Sequence, residues 1–165
     1  MTKTIWTRRS TLLVVLALVT SLGLAPAAHA DSVPFGMRYR GTFTSVAVAP
    51  PVFLVTDTLT GAGTYLGQFT GTYPHLVNLD ALTFGGEATF TSANGDKLII
   101  QLGGTATPTS PTTFSLTLQG TITGGTGRFQ GATGSVSGTG TVTLTNPETL
   151  SGTVSSTLLG QINRS

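Results

Sequence analysis

Beyond the first thirty residues, apolar and polar side chains alternate one by one along most of the chain. The most regular stretch runs from Leu82 to Thr91, where leucine, phenylalanine, glycine and alanine take every second position and mostly threonine and glutamate take the others. A period of two places the two sets of side chains on opposite faces of a β-strand. No segment has the spacing of an amphipathic helix, so the pattern predicts an all-β protein.

Eight such segments are separated by short stretches rich in glycine, proline and asparagine, which favour turns. Asn94-Gly95 predicts a tight hairpin turn, because both residues tolerate positive φ at low cost. Residues 31–37 are expected to form an irregular arm, residues 61–63 a turn, and residues 74–79 a connection that contains His75. The predicted strands cover residues 39–48, 52–59, 64–73, 82–91, 97–105, 114–122, 135–144 and 150–162.

Eight antiparallel strands with short links favour an up-and-down barrel, whose interior holds side chains or one small ligand. Glycines recur on the apolar faces, where they suit the bends and close packing of a barrel. A closed sheet also has no unpaired edge, which matters in a chain that has no cysteine and therefore no disulfide bond. A β-sandwich is the alternative, and the alternation alone does not distinguish the two folds.

The first thirty residues have the features of a secretory signal peptide. Lys3, Arg8 and Arg9 precede an apolar run over residues 12–24, and Ala28-His29-Ala30 provides a small-residue cleavage pattern. The run is too short for a membrane span, so we expect no membrane anchor. We therefore predict a signal peptide over residues 1–30 and a single domain over residues 31–165, secreted to the extracellular space or periplasm after cleavage near Ala30.

Removal of this leader changes the charge of the chain. The full sequence has a formal net charge of +2, but residues 31–165 carry five basic and six acidic side chains, a net charge of −1. A basic surface for nucleic acid is therefore not expected. The one histidine of this part, His75, has neither a cysteine nor a carboxylate pair nearby, so no metal site is expected.

Three segments carry a resemblance to a known group of proteins. They are the glycine-rich corner GGTGRFQGATG at residues 124–134, GTYLGQFTG at residues 63–71 and ATFTSANGD at residues 88–96. Together they resemble plant dirigent proteins and bacterial secreted proteins with an allene oxide cyclase-like barrel. The likeness spans nearly all of residues 31–165. It implies an eight-stranded, calycin-like barrel with an apolar cavity, often a homo-trimer in the plant relatives.

With the alternating apolar faces, the resemblance implies a secreted barrel that binds a small apolar or phenolic molecule non-covalently in its lumen, without catalysis or a cofactor. A cofactor-free cyclase or a dirigent-type protein that directs stereochemistry is one alternative. A ligand-free structural or envelope-associated barrel is another. The acidic, tyrosine and arginine groups that the resembling families place around a substrate have no residue-by-residue match in this chain.

Two acidic residues are candidates for contact with a ligand. Asp57 shares a strand face with Phe53 and Val55, which would place it near the cavity. Because Asp57 is also close to the predicted end of its strand, a position on the rim of the barrel is favoured. Glu87 lies on the face opposite Phe84. It points to solvent if the apolar face fills the barrel, which is favoured, and into the lumen if that face packs between subunits.

Three further candidates are Tyr65, Arg128 and Phe129. The hydroxyl of Tyr65, like those of Tyr39 and Tyr73, is a donor for a ligand carbonyl, although tyrosine on a barrel strand is usually a rim residue. Arg128 and Phe129 would contact a ligand at the cavity mouth, or Phe129 would plug one end of the barrel while Arg128 bonds a carbonyl or carboxylate. The structural role is favoured because both residues lie in the glycine-rich corner.

Overall fold

The computed structural model describes residues 32–164, which form a closed antiparallel β-barrel of eight strands. Each strand pairs with its neighbours along the sequence, and the last pairs with the first to close the sheet. The predicted up-and-down barrel is therefore confirmed, and the sandwich is not favoured. The strands are β1 (Ser32–Ala49), β2 (Val52–Gly63), β3 (Gly67–Asn78), β4 (Thr83–Ser92), β5 (Lys97–Pro108), β6 (Thr113–Gly125), β7 (Thr133–Asn146) and β8 (Ser151–Asn163).

The alternation in the sequence corresponds to the two surfaces of the barrel wall. In β5, for example, Leu98, Ile100 and Leu102 are buried in the lumen, whereas Lys97 and Gln101 are exposed outside. The hairpin between β4 and β5 turns at residues 93–96, as predicted. Its glycine, Gly95, has a φ of 91°, a conformation that favours glycine.

The first strand is longer than the sequence predicted. Residues 32–37 are part of β1 and not an irregular arm, since they pair with β8 from Ser32 opposite Asn163 onward. Phe35 and Met37 point inward and are buried. The burial of these two side chains outweighs the weak strand preference of Pro34 and Gly36.

The boundary between β2 and β3 also differs from the prediction. Residues 61–63 belong to β2, and the chain turns instead at residues 64–66, where Tyr65 has a φ of 63°. β3 then continues through Pro74 and His75, so the predicted connection over residues 74–79 is wrong. Proline is tolerated here because the pairing of β3 with β4 omits Pro74, which has no N–H to donate.

The predicted signal peptide, residues 1–30, lies outside the described residues. Over residues 32–164 there is no helix with the length and apolar character required to cross a membrane.

The connections define two ends of the barrel. The closed end carries the first residue of β1, the last residue of β8 and the connections at residues 64–66, 93–96 and 126–132. The open end carries the connections at residues 50–51, 79–82, 109–112 and 147–150. Toward the closed end, the lumen is filled by fully buried side chains, among them Phe90, Leu98, Ile100, Ile122, Phe129, Leu158 and Ile162.

Phe90 is the central ring of this packed half. Its ring centroid lies 5.4 Å from that of Phe69 in an edge-on arrangement and 5.9 Å from that of Tyr39. Gly71 makes room for it, because a Cβ atom at that position would come within 2.8 Å of the Phe90 ring. An inward glycine on one strand thus accommodates a large side chain on the next.

Leu158 and Leu159 are neighbours in β8 that test the assignment of residues to the inner and outer surfaces of the barrel wall. Leu158 faces the lumen with an exposed fraction of 0%, and Leu159 faces outward with an exposed fraction of 64%. Leu158→Ala should lower the free energy of unfolding by about 2–5 kcal/mol, because it leaves a void in the packed lumen. Leu159→Ala should change it by less than about 0.5 kcal/mol. Urea denaturation of the two variants measures both values, and equal losses would contradict the assigned faces.

Candidate functional site

The half of the lumen near the open end contains a cavity of about 340 Å³. Most of its wall is aliphatic or aromatic, contributed by Phe43, Phe53, Val55, Val77, Phe84, Ala106, Phe114, Leu116, Leu118, Val142 and Val154. Leu79, Leu82, Leu144 and Leu150 lie around the rim. An apolar cavity with a few polar groups is the usual form of a small-molecule site.

Five buried polar side chains interrupt this wall, namely Tyr39, Asp57, Tyr73, His75 and Ser156, and the less buried Ser45 and Thr83 also line it. Strand register brings the five buried side chains together, since Asp57 of β2 is opposite Tyr73 of β3, and Tyr39 of β1 is opposite Ser156 of β8. His75 follows two positions after Tyr73 on the same face of β3.

Asp57 is the ionisable group at the centre of the site. It lies mid-strand in the lumen with an exposed fraction of 5%, so the favoured rim position is wrong. Among the described residues, its carboxylate makes no hydrogen bond and no ion pair. Burial without a compensating partner disfavours the charged form and raises the pKa of Asp57 to about 7.

Tyr73 and His75 form a fixed pair beside Asp57. The Tyr73 hydroxyl donates a 2.7 Å hydrogen bond to the Leu102 carbonyl oxygen, and burial raises the pKa of this phenol far above its usual value. The His75 ring stacks on the Tyr73 ring with centroids 4.0 Å apart. Its Nδ1 lies 3.0 Å from the Tyr73 carbonyl oxygen, which can only accept, so Nδ1 carries the proton and Nε2 is left as an acceptor.

The sequence predicted that His75 lies in a connection between strands. In the structure it lies in β3 and lines the lumen. Burial lowers the pKa of His75, partly offset by the hydrogen bond to the Tyr73 carbonyl, so its ring is neutral near pH 7. Among the described residues, no hydrogen bond links His75 with Asp57 or Ser156. A nucleophile–base pair of the triad type is therefore not formed.

Tyr39 and Ser156 lie at the boundary between the cavity and the packed half. Burial raises the pKa of Tyr39 to about 12, and the Ser156 hydroxyl offsets part of this rise. The pair does not reach standard hydrogen-bond geometry, however, and the buried Ser156 Oγ has no partner among the described residues. A polar ligand atom could therefore bond to this hydroxyl.

Of the five candidate residues from the sequence, Asp57 alone lines the cavity. Glu87 is exposed on the outer face of β4, as expected when the apolar face fills the barrel. Tyr65 lies at the closed end, where the Arg164 guanidinium carbon is 3.8 Å from its ring centroid. Arg128 and Phe129 also lie at the closed end, so the structure does not bring the five together.

The glycine-rich corner has the structural role that the sequence favoured. Phe129 is fully buried and closes the packed end of the lumen. Arg128 Nε donates a 2.9 Å hydrogen bond to Asp96 Oδ2 in the β4–β5 turn. Hydrogen bonds from the Asn94 amide and from Arg128 lower the pKa of Asp96. The corner and the neighbouring turn are thereby joined at the end remote from the cavity.

The sequence contained a signal for the residues that the predictions missed. His75 continues the alternation of Phe69, Gly71 and Tyr73 in β3, so the period of two extends past Pro74. Ser156 similarly falls between Val154 and Leu158 on the inward face of β8. Among residues 32–164, no group of three metal-ligating side chains comes together.

Comparison with known proteins shows the fold. The barrel is similar to the solved structure of the pterocarpan synthase dirigent protein GePTS1, with a TM-score of 0.52 and 13% sequence identity over 90% of this chain and 100% of that chain. A second solved structure, the pterocarpan synthase dirigent protein PsPTS1, has a TM-score of 0.48 and 14% identity over 81% and 96%. No protein-family model and no curated protein matches the sequence. The chain thus has a dirigent-like barrel fold.

The raised pKa of Asp57 predicts an unusual dependence of stability on pH. Between pH 4 and pH 7, Asp57 is protonated in the folded protein but ionised in the unfolded chain, so its contribution to stability falls as pH rises. From pH 5 to pH 8 the wild-type protein should lose about 2.5 kcal/mol relative to Asp57→Asn. Denaturation of both proteins at the two pH values measures this loss, and parallel behaviour would exclude a raised pKa.

Proposed function

We propose that this protein is a secreted β-barrel that binds a small apolar or phenolic molecule non-covalently in its lumen. The observation that carries the proposal is the cavity of about 340 Å³ within an otherwise close-packed barrel. Its volume lies within the range of about 300–1,000 Å³ that is typical of small-molecule sites. It suits one compact molecule.

The composition of the wall supports a ligand that is largely apolar. Aromatic and aliphatic side chains surround the cavity, and Tyr39, Asp57 and Ser156 offer a few fixed polar contacts. The structural alternative predicts a lumen filled by side chains, and the open half of this barrel is not filled. A void with an apolar lining loses dispersion contacts unless something occupies it, which favours ligand binding over a purely structural role.

Adjacent residues of β2 provide a matched test. Val55 lines the cavity, and its neighbour Thr56 is exposed on the outer surface. Val55→Trp should fill part of the cavity and weaken binding of 1-naphthalenemethanol by about tenfold or more, because the ligand and the indole need the same space. Thr56→Trp should leave the affinity unchanged. Fluorescence titration with this naphthalene alcohol measures both, and no saturable binding to the wild-type protein would refute the proposal.

A dirigent-type or cyclase function is the second candidate, favoured by the buried carboxylate in the cavity wall. Such a protein holds a reactive intermediate in one conformation, which requires few polar groups. The solved structures of similar fold are named as pterocarpan synthase dirigent proteins. Enantiomeric excess in phenol-coupling products, formed by a separate one-electron oxidant in the presence of this protein, would distinguish this function from binding alone.

We also propose that the barrel assembles as a homo-trimer through its outer wall near the open end. Val46, Leu54 and Leu76 are paired side by side on β1, β2 and β3, with exposed fractions of 67%, 39% and 51%. A row of exposed apolar side chains of this kind is typical of an interaction surface.

Leu76→Arg should shift the trimer to monomer, because a charge would be buried in the apolar contact. Thr72→Arg, on the same outer face of β3 but outside the apolar row, should leave the assembly intact. Light scattering coupled to size-exclusion chromatography gives the mass of each variant. A wild-type protein that is monomeric at all concentrations would contradict this proposal.

A further inference from the structure

The cavity holds a carboxylate whose partner is missing. Asp57 is 5% exposed, lines the cavity, and makes neither a hydrogen bond nor an ion pair within the described chain. No lysine or arginine is among the described residues that line the cavity. The one ion pair of residues 32–164 joins Arg128 and Asp96 at the closed end. Buried charges are normally paired, so the partner of Asp57 is expected to come from the ligand.

The neighbouring side chains do not provide a hydrogen bond to this carboxylate. On β3, the Tyr73 hydroxyl donates to the Leu102 carbonyl oxygen and the His75 Nδ1 proton to the Tyr73 carbonyl oxygen. On β1, Tyr39 lies near Asp57 but makes no hydrogen bond with it, and the Ser156 hydroxyl of β8 makes no hydrogen bond of standard geometry within the described residues. These are the titratable and hydroxyl groups around Asp57, and none of them is cationic near pH 7.

Aromatic residues lie beside the same carboxylate. Phe43 of β1 and Tyr73 of β3 are its direct neighbours in strand register, and both line the cavity. Tyr39, His75 and Phe84 are further aromatic residues of this wall. The faces of phenyl and phenol rings carry negative charge density and attract cations, most strongly where water is excluded. A carboxylate beside aromatic rings offers both kinds of group that attract a cation.

An ammonium group meets both requirements of this wall. It supplies the opposite charge and the N–H donors that Asp57 lacks, and it is attracted by the ring faces. An anionic ligand would be repelled by the Asp57 carboxylate. A neutral ligand would leave the charge of Asp57 unbalanced or require that Asp57 be protonated. The cavity volume of about 340 Å³ limits the rest of the ligand to one small apolar group.

We propose that this cavity selects apolar amines, with the ligand ammonium held between the Asp57 carboxylate and the rings of Phe43 and Tyr73. This inference rests on the proposed function, since it specifies the chemical class of the molecule that the lumen binds.

Two probes of matched shape separate the inference from the proposed function. 1-Naphthylmethylamine is a cation below pH 9, and 1-naphthalenemethanol is its neutral counterpart. At pH 8, the amine should bind the wild-type protein about tenfold or more tightly than the alcohol, because it gains a buried charge pair and ring contacts. Isothermal titration calorimetry measures both dissociation constants.

Two variants assign this preference to one carboxylate. Asp57→Asn keeps the shape of the side chain and removes its charge, so the amine and the alcohol should then bind about equally. Glu87→Gln is the matched control. It removes a carboxylate from the outer face of β4 and should preserve the preference for the amine.

The wild-type protein offers an independent measurement that needs no variant. Asp57 must lose its proton to pair with the ammonium, so the amine affinity should rise about tenfold between pH 6 and pH 8. The alcohol affinity should not rise. Burial lowers the pKa of His75, and any proton that its ring loses as pH rises removes a positive charge, so His75 does not reverse the trend.

Each outcome has a distinct meaning. Equal binding of amine and alcohol to the wild-type protein overturns the inference and leaves lumen binding intact. A preference for the amine that persists in Asp57→Asn, or that does not depend on pH, also overturns it. If neither probe binds, both the inference and the proposed function fail.

Discussion

The pairing of β1 with β8 is the interaction on which the rest of the structure depends. The ladder runs from Ser32 opposite Asn163 to Phe43 opposite Gly152 and converts an open sheet into a closed wall. Without it, both strands would be unpaired edges. Because backbone hydrogen bonds then hold the wall around its whole circumference, the lumen need not be filled by side chains along its full length. A cavity can persist here that would collapse between two sheets held together by packing alone.

Closure also explains why the barrel has two unlike halves. The closed half is packed around Phe90 and sealed by Phe129, and the burial of these apolar side chains supplies much of the stability of a domain without disulfide bonds. The open half contains most of the buried polar side chains, including the Asp57 carboxylate, which has no partner among the described residues and lowers stability when it is ionised. A polar group of this kind is expected at a functional site, where local stability is lost to binding or chemistry. The packed half tolerates that loss.

Much of the fold could be predicted from the sequence, because alternation reports directly on which side of a barrel wall a residue lies. The β4–β5 hairpin and the inward row of Leu98, Ile100 and Leu102 follow from the pattern alone. The errors occurred where a local signal opposed the pattern. Pro74 suggested a loop, and Pro34 with Gly36 suggested an arm, yet inward burial at the neighbouring positions kept the chain extended.

The site was less predictable than the fold, since it depends on where along the lumen packing ends and open space begins. Alternation places Asp57 and Phe90 equally on the inward side, but their depth in the barrel follows from the stagger of all eight strands. The glycine-rich corner was the most distinctive motif in the sequence, and it lies at the end opposite the cavity. A motif that identifies a fold therefore need not mark its binding site.

The position of the first and last strand residues has a consequence for how this barrel can be handled and how it can change. Ser32 and Asn163 are paired neighbours at the closed end, whereas four connections border the mouth of the cavity. A fusion partner or surface attachment joined next to either residue would lie at the end remote from the cavity. A short peptide that links these two residues could also give a cyclic form of the barrel without approaching the cavity. The connections at the open end do not include this junction, so they can vary in length and sequence while the closed end preserves the architecture.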